Sequence, residues 1–147
     1  MQISNPQQQM MMRMAISEVF QKMFFMIPQE ELVPAAEKQY RCFVPIAHKQ
    51  QDTLKLCLNI DWELAMQLTK NFMGIQSSQV TDAQIGSTVL EILNMLAGNF
   101  LNQIDPEGRY ALGIPVTGDP VDGDISVYEE LNFESHRLAV FLRGSIL

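Results

Sequence analysis

The segment from Thr81 to Ile104 constrains the fold more than any other part of the chain. Thr81, followed three residues later by Gln84, has the pattern of a capping box, in which each side chain accepts from the other's backbone N–H at a helix start. The segment is followed by Asp-Pro-Glu-Gly, whose proline and glycine oppose further helix. Between these limits the apolar residues recur at steps of three and four, at Ile85, Val89, Leu93, Leu96, Phe100 and Ile104, with Ile92 and Ala97 beside them. At about 100° per residue they share one face, which predicts an amphipathic helix against a core.

The opposite face of this predicted helix carries Ser87, Glu91, Asn94 and Gly98. Glu91 and Asn94 are separated by roughly 60° around the axis and by one turn along it, so their side chains are neighbours. Glycine inside a helix costs about 1 kcal/mol relative to alanine, so Gly98 needs a compensating role. It either clears space beside Glu91 and Asn94 for another molecule or lets the helix pack closely on a neighbouring element, and both interpretations stay open.

Composition limits the class of protein and its partners. A chain of 147 residues, 47% hydrophobic and 18% charged, fits one globular domain with a core. A net charge of −7 argues against nucleic acid or an anionic membrane as a partner. The apolar runs 10–14 and 24–27 are interrupted by Arg13, Glu18 and Lys22, which argues against a signal peptide or a membrane span. We therefore expect a cytoplasmic protein.

The metal-ligating and nucleophilic residue types are sparse. Cys42 and Cys57 lie in strand-like stretches and fit buried reduced thiols, so no disulfide is required. His48 and His136 have no metal-ligand spacing to another ligating residue and lie near no nucleophile motif. The acidic loop 118–124 lacks the closing glutamate of a calcium loop and contains a proline, which favours a solvated turn. We predict no intrinsic metal or cofactor. Phosphate-binding glycine loops, GxGxxG, HExxH and CxxC are also missing from the sequence.

The chain before the central helix divides into a tail, a helix, a hairpin and a second helix. Residues 1–8 are polar and predict a flexible tail, which leaves 9–147 as a single domain. A helix from about Gln9 to Ile27 is predicted with an apolar stripe of Met12, Ile16, Val19, Phe20, Met23 and Ile27. Alternation over 40–47 and 54–60 predicts an antiparallel hairpin. The second helix, 62–73, is expected to be capped by Asp61, ended by Gly74, and buried through Leu64, Ala65, Leu68 and Phe72.

Three further strands are predicted after the central helix. Residues 110–117 predict an edge or bent strand, because Gly113 and Pro115 interrupt the run. Residues 125–134 alternate, and 137–143 are almost continuously apolar, as in a central strand. The element order α-β-β-α-α-β-β-β predicts an α/β fold of the layered α+β type, with an antiparallel or mixed sheet covered by helices.

The amino-acid sequence of the central helix also resembles that of a known family. The run Glu91-Ile92-Leu93-Asn94-Met95-Leu96-Ala97-Gly98-Asn99 resembles the ExxN signature of the CheC/CheX/FliY chemotaxis phosphatases, and its continuation after Asn94 looks most like the CheX branch. The first helix with Val19-Phe20 and the Gly113-Ile114-Pro115 strand are also similar to that family. A second ExxN match, Glu129 to Asn132, lies in a predicted strand, where residues three apart point to opposite faces, so we interpret it as coincidence.

The resemblance implies dephosphorylation of the phosphoaspartate of a CheY-type receiver domain. Carried over by position, Asn94 would orient the attacking water and Glu91 would dock the receiver's lysine, while Ser87 and Gly98 would belong to the partner surface. Mg²⁺ is then expected on the receiver and not on this chain. The resemblance to the CheX branch also implies a homodimer joined across the sheet. An apolar sheet edge such as the final strand would permit such a dimer.

Two alternatives of other classes remain open from the sequence. The first is a non-catalytic adaptor with the same fold, which binds a receiver domain or a flagellar switch component without accelerating hydrolysis. The second is a sensory or small-ligand module, for which the sequence shows no pocket signature.

Overall fold

Three helices and one antiparallel sheet make up the computed structural model, which describes residues 5–31, 33–49 and 51–146. In chain order the elements are α1 (Pro6–Phe24), β1 (Gln39–His48), β2 (Gln51–Asp61), α2 (Trp62–Met73), α3 (Asp82–Ile104), β3 (Tyr110–Leu112), β4 (Val116–Thr117), β5 (Ile125–Phe133) and β6 (His136–Arg143). A short 3-10 turn at Ser77–Gln79 joins α2 to α3. The predicted fold class is confirmed, and every strand pairing is antiparallel.

The strands are arranged in the order β3-β1-β2-β6-β5, and β4 pairs with the same edge of β1 as β3 does. The predicted strand over 110–117 is therefore two short edge strands. Gly113 approaches Pro45 so closely that its N–H donates to the Pro45 carbonyl at 2.8 Å, and a β-carbon on Gly113 would collide with Pro45. Close packing at this glycine and the proline two residues later explain the break.

The final strand, β6, is paired on both sides, with β2 and with β5. Its predicted central position is confirmed. The expectation that it could serve as a sheet edge for dimerisation is wrong, because both rows of its backbone hydrogen bonds are already used. The edge on that side of the sheet is β5. A dimer joined through the sheet remains a prediction, but β6 cannot form its interface by strand pairing.

One hydrophobic core lies between the helices and one face of the sheet. Side chains that alternate along the strands point into it, among them Val44, Ile46, Leu56, Leu58, Leu138 and Val140. Fully buried residues of α3 meet them from the other side, including Ile85, Val89, Leu93, Leu96 and Phe100. The apolar face predicted for this helix is thus the face that packs on the sheet, and its polar face points away.

Cys42 and Cys57 are both buried free thiols. In the β1–β2 ladder Cys42 is opposite Leu58 and Phe43 is opposite Cys57, so the two sulfurs point to opposite faces of the sheet. Burial raises the pKa of each thiol to about 12. The predicted buried, reduced state is confirmed within this structure, and the thiolate form is suppressed near neutral pH.

The first helix differs from the prediction at both ends. It begins at Pro6, because Asn5 caps it by accepting from the Gln8 N–H at 3.0 Å and proline suits the first helical position. It ends at Phe24, because Phe25 adopts a left-handed conformation with φ of 56°. The helix thus includes part of the predicted tail, whose first four residues lie outside those described.

The buried stripe of α1 is also shorter than predicted. Met23 and Ile27, predicted on the buried stripe, are 40% and 74% exposed, whereas Met12, Ile16, Val19 and Phe20 are buried as predicted. Ile27 lies beyond the helix, so helical periodicity no longer sets its direction.

The second helix has the predicted bounds, but two of its residues behave differently. Asp61 occupies the N-cap position without making a capping bond. Its buried carboxylate accepts instead from the backbone N–H of Ala36 at 3.1 Å and of Arg137 at 2.8 Å, which ties the chain before β1 to β6. Phe72, predicted to be in the core, is 49% exposed. None of the helices among the described residues combines the length and apolarity needed to cross a bilayer.

Candidate functional site

Both ends of α3 are fixed by side chains that accept hydrogen bonds from backbone N–H groups. At the start, the Gln84 N–H donates to Thr81 Oγ1 at 3.2 Å and the Thr81 N–H donates to Gln84 Oε1 at 2.9 Å, so the predicted capping box is confirmed. At the end, the buried Asp105 carboxylate accepts from the backbone N–H of Arg109 at 3.0 Å and of Tyr110 at 2.8 Å. The helix is therefore a rigid support for the residues on its outer face.

Asp105 gives a test of this anchoring. Burial disfavours its charged form, but the two backbone hydrogen bonds and the nearby Arg109 guanidinium outweigh that effect, so the pKa of the carboxyl lies below its usual value. Replacing Asp105 with alanine leaves two N–H groups without their acceptor, and we expect the free energy of unfolding at pH 7 to fall by about 2 kcal/mol. Urea unfolding at several pH values measures the loss.

The pH dependence of that loss follows from the direction of the pKa shift. A carboxyl whose folded pKa is depressed stabilises the protein fully above its unfolded pKa of about 4, and this contribution disappears as the pH falls through the folded pKa. The difference between wild type and Asp105→Ala should therefore be constant from pH 7 to about pH 5 and shrink below about pH 4. A difference that does not change down to pH 3 would show that the charge on Asp105 is not the cause.

Close packing of α3 on the sheet is allowed by a glycine that the sequence reasoning did not single out. A β-carbon on Gly86 would lie 3.0 Å from the hydroxyl oxygen of Tyr40. That hydroxyl shares a hydrogen bond with Thr117 Oγ1 at 2.5 Å, so Tyr40 is not free to move aside without cost. The signal in the sequence was a glycine inside the helix on its buried side.

The outer face of α3 is open in the way that the sequence predicts. Ser87 and Glu91 are exposed, and Asn94 and Gly98 are partly exposed. Within the part of the chain that the structure describes, the side chains of Glu91 and Asn94 have no hydrogen-bond or ion-pair partner. A carboxylate and an amide one turn apart thus present all of their hydrogen-bonding capacity to solvent or to another molecule.

Close packing, one of the two explanations that the sequence left open for Gly98, does not fit the structure. Apart from the backbone of its own helix, a β-carbon at this position would meet no heavy atom within 4 Å. Close packing against a neighbouring element is therefore served by Gly86 and not by Gly98. The space beside Asn94 is empty in the protein itself.

The last residue of the resembling run, Asn99, has a structural role. Its amide donates to Glu18 of α1 at 3.3 Å, and Lys22 donates to the same carboxylate at 2.6 Å. These hydrogen bonds, the one from Lys22 first, lower the pKa of Glu18. The contact links α1 to α3 one turn beyond Asn94 and helps to fix the helix that carries the pair.

The strand predicted for the second ExxN match is confirmed. The match lies in β5, where Glu129 forms an ion pair with Arg13 of α1 at 3.0 Å. Asn132 is fully buried, and its amide donates to the Glu31 carbonyl. The two side chains serve different contacts and do not form a pair.

No metal centre is assembled among residues 5–31, 33–49 and 51–146, where no group of three or more ligating side chains comes together. The acidic loop is held by cations of the sheet, since Asp122 pairs with Lys55 at 3.4 Å and Asp119 approaches Arg41 at 3.9 Å. His48 lies beside Tyr110, with ring centroids 4.7 Å apart and the ring planes tilted by 43°.

A groove beside Glu91 was missed by the sequence reasoning. We call it the helix-junction groove; it has a volume of about 610 Å³ and lies between the end of α2 and the first turns of α3. Phe72 and Met73 line it from α2, and Ala83, Ser87, Thr88 and Glu91 line it from α3. The sequence signal was an apolar pair directly before the helix-ending Gly74.

Comparisons with known proteins show the family and the fold of this chain. The family model described as "Chemotaxis phosphatase CheX" matches residues 43–135, a range that includes Glu91 and Asn94. The fold is similar to that of chemotaxis protein CheX from Vibrio vulnificus, with a TM-score of 0.71 at 15% identity over 90% of this chain and 95% of that one. A CheX from Desulfovibrio desulfuricans gives a TM-score of 0.70 at 13% identity over 92% and 97% of the two chains.

A third similar structure was solved together with a partner. It is the CheX–CheY–BeF₃–Mg²⁺ complex from Borrelia burgdorferi, which gives a TM-score of 0.65 at 15% identity over 91% of this chain and 95% of that chain. No curated protein sequence matches the chain significantly. Because the family model covers more than half of the chain, including the open face of α3, the protein belongs to the CheX family of chemotaxis phosphatases.

Proposed function

We propose that this protein hydrolyses the phosphoaspartate of a CheY-type receiver domain, with Glu91 and Asn94 as its functional pair. The observation that carries the proposal is the unpartnered carboxylate and amide on a helix whose two ends are fixed. Support comes from the family and from the fold shared with a CheX that was crystallised with CheY, BeF₃ and Mg²⁺.

The proposed reaction needs no covalent bond between this chain and the phosphoryl group. A water oxygen forms a bond to phosphorus while the bond from phosphorus to the aspartate oxygen breaks, and the products are inorganic phosphate and the free carboxylate. The released proton passes to phosphate or solvent. Such a reaction depends on positioning and on charge stabilisation, and Mg²⁺ held by the receiver would offset the charge on the phosphoryl oxygens.

Asn94 suits the positioning role because an amide both donates and accepts hydrogen bonds and does not titrate. Its carbonyl oxygen can accept from the attacking water and hold the water in line with the phosphorus atom. Glu91, one turn away, can receive the receiver's lysine through a charge-assisted hydrogen bond. The helix fixes the distance between the two groups, so a single docking event aligns both.

Gly98 and Ser87 complete the proposed contact surface. The empty space at Gly98 admits the rim of the receiver's active site next to Asn94. Ser87 is exposed one turn before Glu91 and offers a small hydroxyl that does not obstruct approach.

Replacing Glu91 with alanine is expected to weaken receiver binding about tenfold and to slow hydrolysis at sub-saturating receiver to the same extent, because a charge-assisted hydrogen bond is lost. Phosphate release from receiver phosphorylated with acetyl phosphate gives the rate, and titration of receiver activated with beryllofluoride and Mg²⁺ gives the affinity. Glu63→Ala is the matched control, since Glu63 is an exposed carboxylate at the start of α2.

The same measurements distinguish hydrolysis from an adaptor role. A phosphatase accelerates phosphate release above the receiver's own rate, and an adaptor binds the receiver without acceleration. Binding by wild type with no increase in phosphate release would contradict the proposal. Equal affinities for wild type and Glu91→Ala would contradict the docking role of Glu91 alone.

A further inference from the structure

The helix-junction groove exposes apolar surface that the sequence pattern directs inward. Phe72 follows Leu68 by four residues on α2, and Leu68 is completely buried whereas Phe72 is 49% exposed. Met73 beside it is 43% exposed. Gly74 then ends the helix in a left-handed conformation, and the chain leaves without covering either side chain. Apolar surface gathered in a groove marks a contact for another molecule.

The groove is continuous with the proposed active face. Glu91 forms part of its wall, together with Ser87 and Thr88 one turn earlier. From Asn94 back to Ser87 is seven residues of helix, or roughly 10 Å along the axis. A receiver domain docked over Glu91 and Asn94 would therefore also reach Phe72 and Met73.

The charges around the groove restrict what its occupant can be. Its lining contains no cationic side chain, and Glu91 stands at its end. Asp82 is exposed in the first turn of α3, and Lys70 in the last turn of α2 does not line the groove, so Glu91 is the charged side chain of the lining. An occupant that combines an apolar side chain with a neighbouring cation fits both features. The lysine assigned to Glu91 in the proposed function provides that cation.

We propose that the helix-junction groove receives an apolar side chain of the same receiver domain, located roughly 10 Å from its phosphorylated aspartate along the axis of α3. This inference rests on the proposed function for the identity of the partner. Glu91 and Asn94 contact groups of the receiver that the reaction needs. The groove contacts a surface side chain that can differ between receivers. Phe72 and Met73 are then the residues that select which receiver is bound.

Phe72→Ala tests the proposal. We expect the KM for phosphorylated receiver to rise about tenfold with kcat unchanged, because the contact is uniform binding and not part of the reaction. Phe72→Leu should recover most of the loss. The matched control is Val121→Ala, which removes apolar surface from a side chain that is 81% exposed in the distant loop 118–124. Thermal unfolding confirms that each variant is folded.

The outcomes separate this inference from the proposed function. Titration of wild type and Phe72→Ala with receiver activated by beryllofluoride and Mg²⁺ reports on the groove even when no hydrolysis occurs. A tenfold weaker complex without wild-type acceleration overturns the proposed function and supports the groove. Unchanged affinity and unchanged KM in an active enzyme overturn the groove alone. If no receiver in a panel of CheY-type domains binds wild type, both proposals are overturned.

Discussion

Replacing Asn94 with alanine is expected to lower kcat for phosphate release by about 100- to 1000-fold, the usual cost of removing one preorganised polar group from a transition state. The amide has no partner among the described residues, so its loss leaves the fold intact. Glu91 and the groove remain, so affinity for activated receiver should be retained. The result would be an inactive protein that still binds its partner. Single-turnover phosphate release at saturating receiver measures kcat without interference from binding.

Asn102→Ala is the matched control for this variant. Asn102 is an exposed amide on the same helix, more than two turns beyond Asn94, so the two substitutions remove the same chemical group from the same element. Wild-type kcat is expected for the control. An Asn94→Ala protein with more than about a tenth of wild-type kcat would show that the amide does not orient the water.

Substitutions that fill the space at Gly98 are expected to keep or raise the stability of the protein, and a large side chain there is expected to lower its activity. Gly98→Ala should raise the free energy of unfolding by about 1 kcal/mol, because alanine is the better helix former and its methyl group meets nothing. Gly98→Leu should remain folded for the same reason. Its side chain would occupy the approach to Asn94, and we expect its kcat/KM for phosphorylated receiver to fall by at least about 30-fold. Chemical unfolding and phosphate release on the same samples provide both numbers.

Gly86 supplies the contrast for Gly98. The gain in helix propensity is the same for Gly86→Ala, but the methyl group would press on the Tyr40 hydroxyl, which is held by Thr117. The stability gain should therefore be smaller than at Gly98 or reversed, with the active face unobstructed. If Gly98→Leu keeps wild-type kcat/KM, the clearance role of this glycine is wrong. Equal stability gains at the two glycines would show that Tyr40 moves freely.

The sequence predicted most about the helix that carries the site. Apolar periodicity gave the face of α3 that packs on the sheet, and with it the outward direction of Glu91 and Asn94. The Thr81–Gln84 pair gave its start to the residue, because a capping box needs only local spacing. Gly98 could not be assigned in this way, since local spacing does not show whether an element distant in sequence packs against it.

Two of the failed predictions concern helical residues that no neighbouring element covers. Periodicity puts Phe72 and Met23 on the correct faces of α2 and α1, but it does not show that no neighbour covers them. Asp61 likewise has the residue type and position of a cap, yet its carboxylate binds N–H groups of Ala36 and Arg137, which are remote in sequence. Such groups compete with the local helix start only once the sheet has formed.

Both native cysteines are buried, so they would not compete with an introduced cysteine for a spectroscopic label. A single new cysteine on an exposed position outside the proposed contact surface, such as Asn102, could be coupled to a fluorophore or a spin label without first removing Cys42 and Cys57. The reporter would lie on the same helix, more than two turns beyond Asn94. Receiver docking could then be followed in real time on an otherwise unaltered chain.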